Sequence, residues 1–152
     1  MTPQQIQAVR ASFEPLVPMA EQVAEAFYAR LFERDPALRP LFRGNPREQG
    51  ERLMQMIAAA VALLDRPAAL EPVLLQLGVR HAGYGVQAAH YDTVGAALLD
   101  TLDAGLGAAF TPELREAWTA MYTLVATTMQ RGAAALAPPA LPGFGLTLPQ
   151  AA

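Results

Sequence analysis

The feature that most restricts the fold of this 152-residue chain is helical periodicity along almost its whole length. Apolar residues recur three and four positions apart, which places them on one face of an α-helix. We find no convincing run of alternating apolar and polar residues of the kind that marks a half-buried strand. The sequence therefore predicts an all-α protein.

Prolines, glycines and capping residues divide this pattern into helices. Thr2, Pro3 and Gln5 form a capping box with proline in the first turn, and Pro15 and Pro18 end or kink the helix that follows. Further apolar stripes are predicted in the segments Met19 to Arg34, Arg47 to Leu64, Leu70 to His81 (Leu70, Val73, Leu74, Leu77 and His81), Tyr91 to Leu102, and Leu114 to Met129, the last opened by Thr111, Pro112 and Glu113.

The length and the 53% apolar content fit one globular domain with its own core. We assign that domain to residues 1–134. Residues 135–152 are rich in proline, alanine and leucine, and we expect this tail to be extended or disordered.

Composition excludes several kinds of chemistry. The chain has no cysteine, which removes disulfides, iron–sulfur clusters and thiolate ligands, and it has no lysine for a Schiff base. A net charge of −3 argues against nucleic-acid binding. The longest apolar run, Met56 to Leu64, is too short to span a membrane, and no signal peptide is evident, so we expect a cytoplasmic protein with no membrane association.

Two histidines remain as candidate metal ligands. His81 shares the apolar stripe of Leu70 to Leu77, where a histidine is more often a satisfied core residue than a ligand. His90 lies beyond Gly83 and Gly85, so the two imidazoles cannot pair on one helix face. We interpret His90 as a structural or capping residue.

Four separated segments resemble the globin family, in particular single-domain bacterial globins and the haem domain of flavohaemoglobins. They read AFYARLFERDPALRPLF from Ala26, REQGERLMQ from Arg47, LGVRHAGYGVQAAHYDTVGAALL from Leu77, and EAWTAMY from Glu116. The resemblance implies the globin fold, a 3-on-3 helical sandwich around haem b.

The resemblance also implies roles on the proximal side of the haem. His81 is the expected ligand of the iron, and the Leu77 carbonyl one turn earlier is the natural acceptor for its Nδ1–H. Tyr91 matches a tyrosine that contacts the proximal histidine in flavohaemoglobins. The glutamate that completes that network is missing here, because the matching position is Ala133.

On the distal side, Tyr28 and Gln49 match the tyrosine and glutamine that donate hydrogen bonds to bound dioxygen. Phe42 is expected to pack against the porphyrin. The remaining cofactor contacts expected from the resemblance are Leu53, Met56, Leu77, Val94 and Leu98, with Arg80 or Arg52 near a haem propionate. No histidine stands at the distal position, so we expect no sixth protein ligand.

These roles predict a protein that reversibly binds dioxygen, and also nitric oxide and carbon monoxide, for oxygen binding or scavenging. Two alternatives stay open: a nitric oxide dioxygenase that depends on a separate reductase, and a haem-based sensor that signals through its tail. No dinucleotide-binding motif or reductase domain is evident. We expect a monomer or a weak homodimer.

Overall fold

Six α-helices and no strand make up the part of the chain that the computed structural model describes, residues 1–136. The helices are α1 (Pro3–Phe13), α2 (Ala20–Arg34), α3 (Pro46–Ala62), α4 (Pro67–Gly83), α5 (Ala88–Leu106) and α6 (Pro112–Leu136), with 3₁₀ helices at Glu14–Met19, Pro36–Leu41 and Gly107–Ala109. The predicted all-α class is confirmed.

Capping residues begin the helices where the sequence predicts. The Thr2 hydroxyl accepts from the Gln5 N–H at 3.1 Å, and the Gln5 side chain accepts from the Thr2 N–H at 3.0 Å. The Thr111 hydroxyl accepts from the N–H of Leu114 at the start of α6. Each cap satisfies backbone donors that have no partner inside the helix.

The last helix runs slightly past the predicted domain boundary at residue 134. α6 ends at Leu136, because the alanines that follow Gly132 continue its helix. Residues 137–152 lie outside the described part of the chain, and with them most of the predicted tail.

Two clusters of buried side chains form the core. The larger draws on all six helices, and Trp118 is almost fully buried in it, where its indole N–H donates to the Ser12 hydroxyl at 2.9 Å. The smaller joins α2 and α5 around Phe27, Leu31 and Ala97. The most extensive helix contacts in residues 1–136 are those of α4 with α6 and of α2 with α5.

The prediction that Val73 belongs to the buried stripe of α4 is wrong. Val73 is 46% exposed, whereas Leu70 and Leu74 on the same helix are buried. The helix turns Val73 away from α6, which covers the face that carries Leu74 and Gly78.

No helix within residues 1–136 has both the length and the apolar character needed to cross a bilayer.

Candidate functional site

The candidate site follows the line along which the two core clusters meet. Leu53 of α3 and Leu98 of α5 pack against both clusters. We call this line, defined by Leu53 and Leu98, the seam. Leu77 packs against the larger cluster, and Tyr28, Phe42 and Val94 pack against the smaller one. The fold therefore brings together residues that are far apart in sequence.

His81 lies in the last turn of α4 with one ring nitrogen engaged. Its Nδ1 is 2.9 Å from the carbonyl oxygen of Leu77. Because a carbonyl can only accept, Nδ1 carries the proton and Nε2 keeps its lone pair. Burial lowers the pKa of His81, more than the hydrogen bond to Leu77 raises it. The neutral imidazole with a free Nε2 is the form that binds a metal.

The chain folds back over His81 directly after α4. Gly85 has φ +90°, a conformation that favours glycine, and it allows the Val86 N–H to donate to the His81 carbonyl at 3.1 Å. A Cβ at Gly85 would lie 3.5 Å from Leu41. The turn therefore lies beside the end of the 3₁₀ helix Pro36–Leu41, which Phe42 directly follows. α4 itself ends at Gly83.

Tyr28 is held in a group of aromatic rings. Its ring centroid is 5.2 Å from Phe27, 6.0 Å from Phe32 and 5.4 Å from Phe42. Burial raises the pKa of Tyr28 to about 12, against a smaller opposing effect of Arg52. The hydroxyl therefore stays protonated at neutral pH and can act as a hydrogen-bond donor.

The hydroxyl of Tyr28 and the side chain of Gln49 each have a backbone partner. Tyr28 donates to the carbonyl oxygen of Gln49 at 3.3 Å, which is long for a bond of this kind. The Gln49 amide donates to the carbonyl oxygen of Arg43 in the loop before α3. Both predicted distal donors are thus on the side of α2 and α3. The Tyr28 bond would have to open before its single O–H could donate to a ligand, whereas the Gln49 amide has a second N–H besides the one that the Arg43 carbonyl accepts.

The other predicted contacts differ in exposure. Tyr91 is buried, Arg80 is exposed, and Arg52 lies 4.0 Å from Glu48 on the surface of α3. The remaining apolar contacts are all half-buried. Phe42, Leu53, Leu77, Val94 and Leu98 leave apolar surface near the seam, and Met56 lies on α3 about one turn after Leu53.

Sequence reasoning missed Tyr122 of α6. Its hydroxyl donates to the carbonyl oxygen of Tyr91 at 2.6 Å, and its ring occupies the space beside Gly95, where a Cβ would lie 2.7 Å away. A tyrosine in an apolar stripe opposite a glycine could have suggested this contact, but only if the pairing of α5 with α6 were known.

His90 acts as a helix cap. Its Nδ1 accepts from the Gln87 N–H at 3.0 Å at the start of α5. This contact agrees with the interpretation of His90 as a capping residue.

Comparison with known proteins identifies the family. Residues 25–129, more than half of the chain, match the family model described as Globin. The chain belongs to the globin family. The fold of this globin is correspondingly similar to the solved structure of an engineered carbene transferase, a variant of a putative nitric oxide dioxygenase from Rhodothermus marinus. The TM-score is 0.79 and the identity 32%, over 89% of this chain and 94% of that chain.

Relatives of this globin come from fish and bacteria. It is 34% identical to neuroglobin-1 of Oncorhynchus mykiss over 87% of its own length and 92% of that protein's. It is 37% identical to neuroglobin of Danio rerio, over 82% of this chain and 87% of that protein. It is 38% identical to a flavohemoprotein of Bordetella parapertussis over 75% of its length, which corresponds to 30% of that longer protein.

Membership of the globins implies haem binding, and the side chains of this chain fit that group. Haem is a flat, largely apolar ring that needs one axial ligand and a channel of apolar side chains. The seam supplies half-buried apolar side chains, and His81 supplies a neutral imidazole whose Nε2 is free. Haem-based binding of diatomic gases is the activity that the family supports.

Proposed function

We propose that this globin reversibly binds dioxygen at a haem b that His81 holds. The observation that carries the proposal is the state of His81, whose Nδ1–H is committed to Leu77 while Nε2 remains available. His81 would hold the haem, and the ferrous iron of that group would supply the affinity for dioxygen, nitric oxide or carbon monoxide.

On the proximal side, the chain orients the ligand through its own backbone. The Leu77 carbonyl fixes the tautomer and the rotation of the imidazole, and the Val86 N–H holds the His81 carbonyl at the end of the helix. Tyr91 is buried in the larger cluster, but Ala133 offers no carboxylate to strengthen the electron donation of the imidazole. This supports gas binding over peroxidase-like chemistry.

On the distal side, Tyr28 is the principal donor. Its hydroxyl is protonated and the residue is half-buried, and its present bond to the Gln49 carbonyl is long, so that bond is easily exchanged for one to a ligand. Gln49 is the second donor, and one of its two amide N–H groups is engaged by the Arg43 carbonyl. Phe42 packs on Tyr28 and limits the entry of water.

A second candidate function is nitric oxide dioxygenation, favoured by the likeness to the putative nitric oxide dioxygenase of Rhodothermus marinus. In that reaction nitric oxide, dioxygen and one electron give nitrate. The electron would come from a separate reductase, because the sequence contains no evident dinucleotide-binding motif of its own.

Absorption spectra of the ferrous, ferric and oxygenated protein test the first proposal. We expect a stable oxygenated form that releases its ligand under vacuum, and no bis-histidine spectrum in either oxidation state. A bis-histidine spectrum would contradict the assignment of Tyr28 and Gln49 to the distal side. Nitrate formation from nitric oxide, measured with and without a generic reductase, tests the second.

A further inference from the structure

The helix that carries His81 contacts α6 through two glycines, each facing the backbone of the other helix. A Cβ at Gly78 of α4 would lie 1.8 Å from the carbonyl oxygen of Met129 in α6. A Cβ at Gly132 of α6 would lie 2.3 Å from the carbonyl oxygen of Leu75 in α4. Cβ atoms essentially never come within 3.0 Å of such atoms, so a side chain at either glycine requires the backbones to separate.

The two contacts are reciprocal, and this restricts how α4 can move. On each helix the contact points are three residues apart, which is about 4.5 Å along the helix axis. One glycine belongs to α4 and the other to α6, so neither helix can slide or rock without opening one contact. The pair lies within the most extensive helix contact of residues 1–136.

Gly78 is also close to the groups that orient the imidazole. It directly follows Leu77, whose carbonyl accepts from His81, and it precedes His81 by three residues. Any displacement of α4 at Gly78 therefore moves the imidazole and its acceptor together relative to α6.

We propose that Gly78 and Gly132 are positioning residues that set the height and tilt of His81 toward the haem iron. The inference rests on the proposed function, because it takes His81 as the ligand of the iron. Both glycines act through the backbone of α4, which carries the imidazole.

The test uses the variants Gly78→Ala and Gly132→Ala in the haem-loaded protein. The stretching vibration of the iron–histidine bond, measured by resonance Raman in the ferrous state, is expected to shift to lower frequency and to broaden in both. Haem transfer to an excess of an apoglobin is expected to become about tenfold faster or more, because loss of the groups that orient a metal ligand typically weakens metal binding by about tenfold or more.

Two control variants separate positioning from simple loss of stability. Gly83→Ala lies on the same helix two residues after His81, where an added Cβ meets nothing within 4 Å, and it is expected to keep the wild-type vibration. Val9→Ala shortens a fully buried side chain of α1 and so creates a cavity in the larger cluster. It is expected to lower the melting temperature without shifting the vibration.

Wild-type vibrations in both glycine variants would overturn the inference, and so would an equal shift in Val9→Ala. If neither glycine variant folds, an NMR measurement on the wild-type protein decides. The Hα protons of Gly78 and Met129 are then expected to give a nuclear Overhauser effect, and its absence overturns the inference. A wild-type protein without an iron–histidine vibration refutes the proposed ligand and the inference with it, whereas unchanged glycine variants refute the inference alone.

Discussion

Replacement of Tyr28 by phenylalanine removes one hydroxyl from the distal side and little else. The ring contacts with Phe27, Phe32 and Phe42 do not involve the oxygen, so they are retained. Within residues 1–136, the bond lost is the long one to the Gln49 carbonyl, which at 3.3 Å contributes less than a typical neutral bond of about 1 kcal/mol. The variant should therefore fold and bind haem as the parent does.

The effect on bound dioxygen should be much larger. A hydrogen bond to a partly charged ligand in a dry site is worth about 1.5–3 kcal/mol. The weak bond to Gln49, worth about 0.2 kcal/mol at its length, has to be given up in exchange, which leaves a net loss of about 1.3–2.8 kcal/mol on removing the hydroxyl. Since each 1.4 kcal/mol is tenfold, Tyr28→Phe should release dioxygen about ten to a hundred times faster.

Stopped-flow displacement of dioxygen by carbon monoxide measures this rate directly. Thr101→Val is a matched control, since it removes another buried hydroxyl, one that donates to the Ala97 carbonyl within α5. It should leave the rate unchanged. If Tyr28→Phe also leaves the rate unchanged while binding haem normally, Tyr28 is not the distal donor.

Three further outcomes are expected. His81→Ala should lose haem on gel filtration and regain a five-coordinate spectrum with added imidazole; full haem retention without imidazole would contradict the proposed ligand. Gln49→Leu should speed oxygen release less than Tyr28→Phe, because the Arg43 carbonyl already engages one N–H of the Gln49 amide and holds the side chain toward the loop before α3; a larger effect in the same stopped-flow assay would refute this order. Burial lowers the pKa of His81 in the folded state below its ordinary value of 6.5. The contribution of the neutral imidazole to the stability of the folded protein is therefore present above pH 6.5 and is lost as the pH falls. Haem loss followed by absorbance should therefore accelerate only as the pH falls through this lowered pKa, below pH 6.5, and a flat profile down to the acid unfolding of the protein would contradict it.

The sequence predicted the helices well because their ends depend on local chemistry. Thr2 and Thr111 cap helices through hydrogen bonds to residues three positions away, and Gly83 ends α4 within the same turn as His81. Such contacts need no knowledge of the rest of the fold. The bond from His81 to Leu77 is of the same kind, since both residues lie on one helix.

Contacts between helices could not be predicted in this way. Val73 fits the periodicity of α4 as well as Leu74 does, and only the position of α6 decides which of them is buried. The importance of Gly78 and Gly132 is likewise invisible in the sequence, because each is defined by a carbonyl of the other helix. The orientation of the Gln49 amide depends on the loop that carries Arg43.

The two sides of the site differ in how firmly they are held, and this difference suits a protein that binds gases reversibly. On the proximal side, His81 is fixed by main-chain groups, with its ring on the Leu77 carbonyl and its own carbonyl on the Val86 N–H. On the distal side, Tyr28 has one long bond, and Gln49 is held by a loop carbonyl. In the proposed function a rigid proximal ligand would keep the iron in place, while the Tyr28 hydroxyl, with its one long bond, could turn toward a ligand at small cost. The free energy of the ligand's hydrogen bonds then acts mainly to slow its release, and little of it is lost in rearranging the protein.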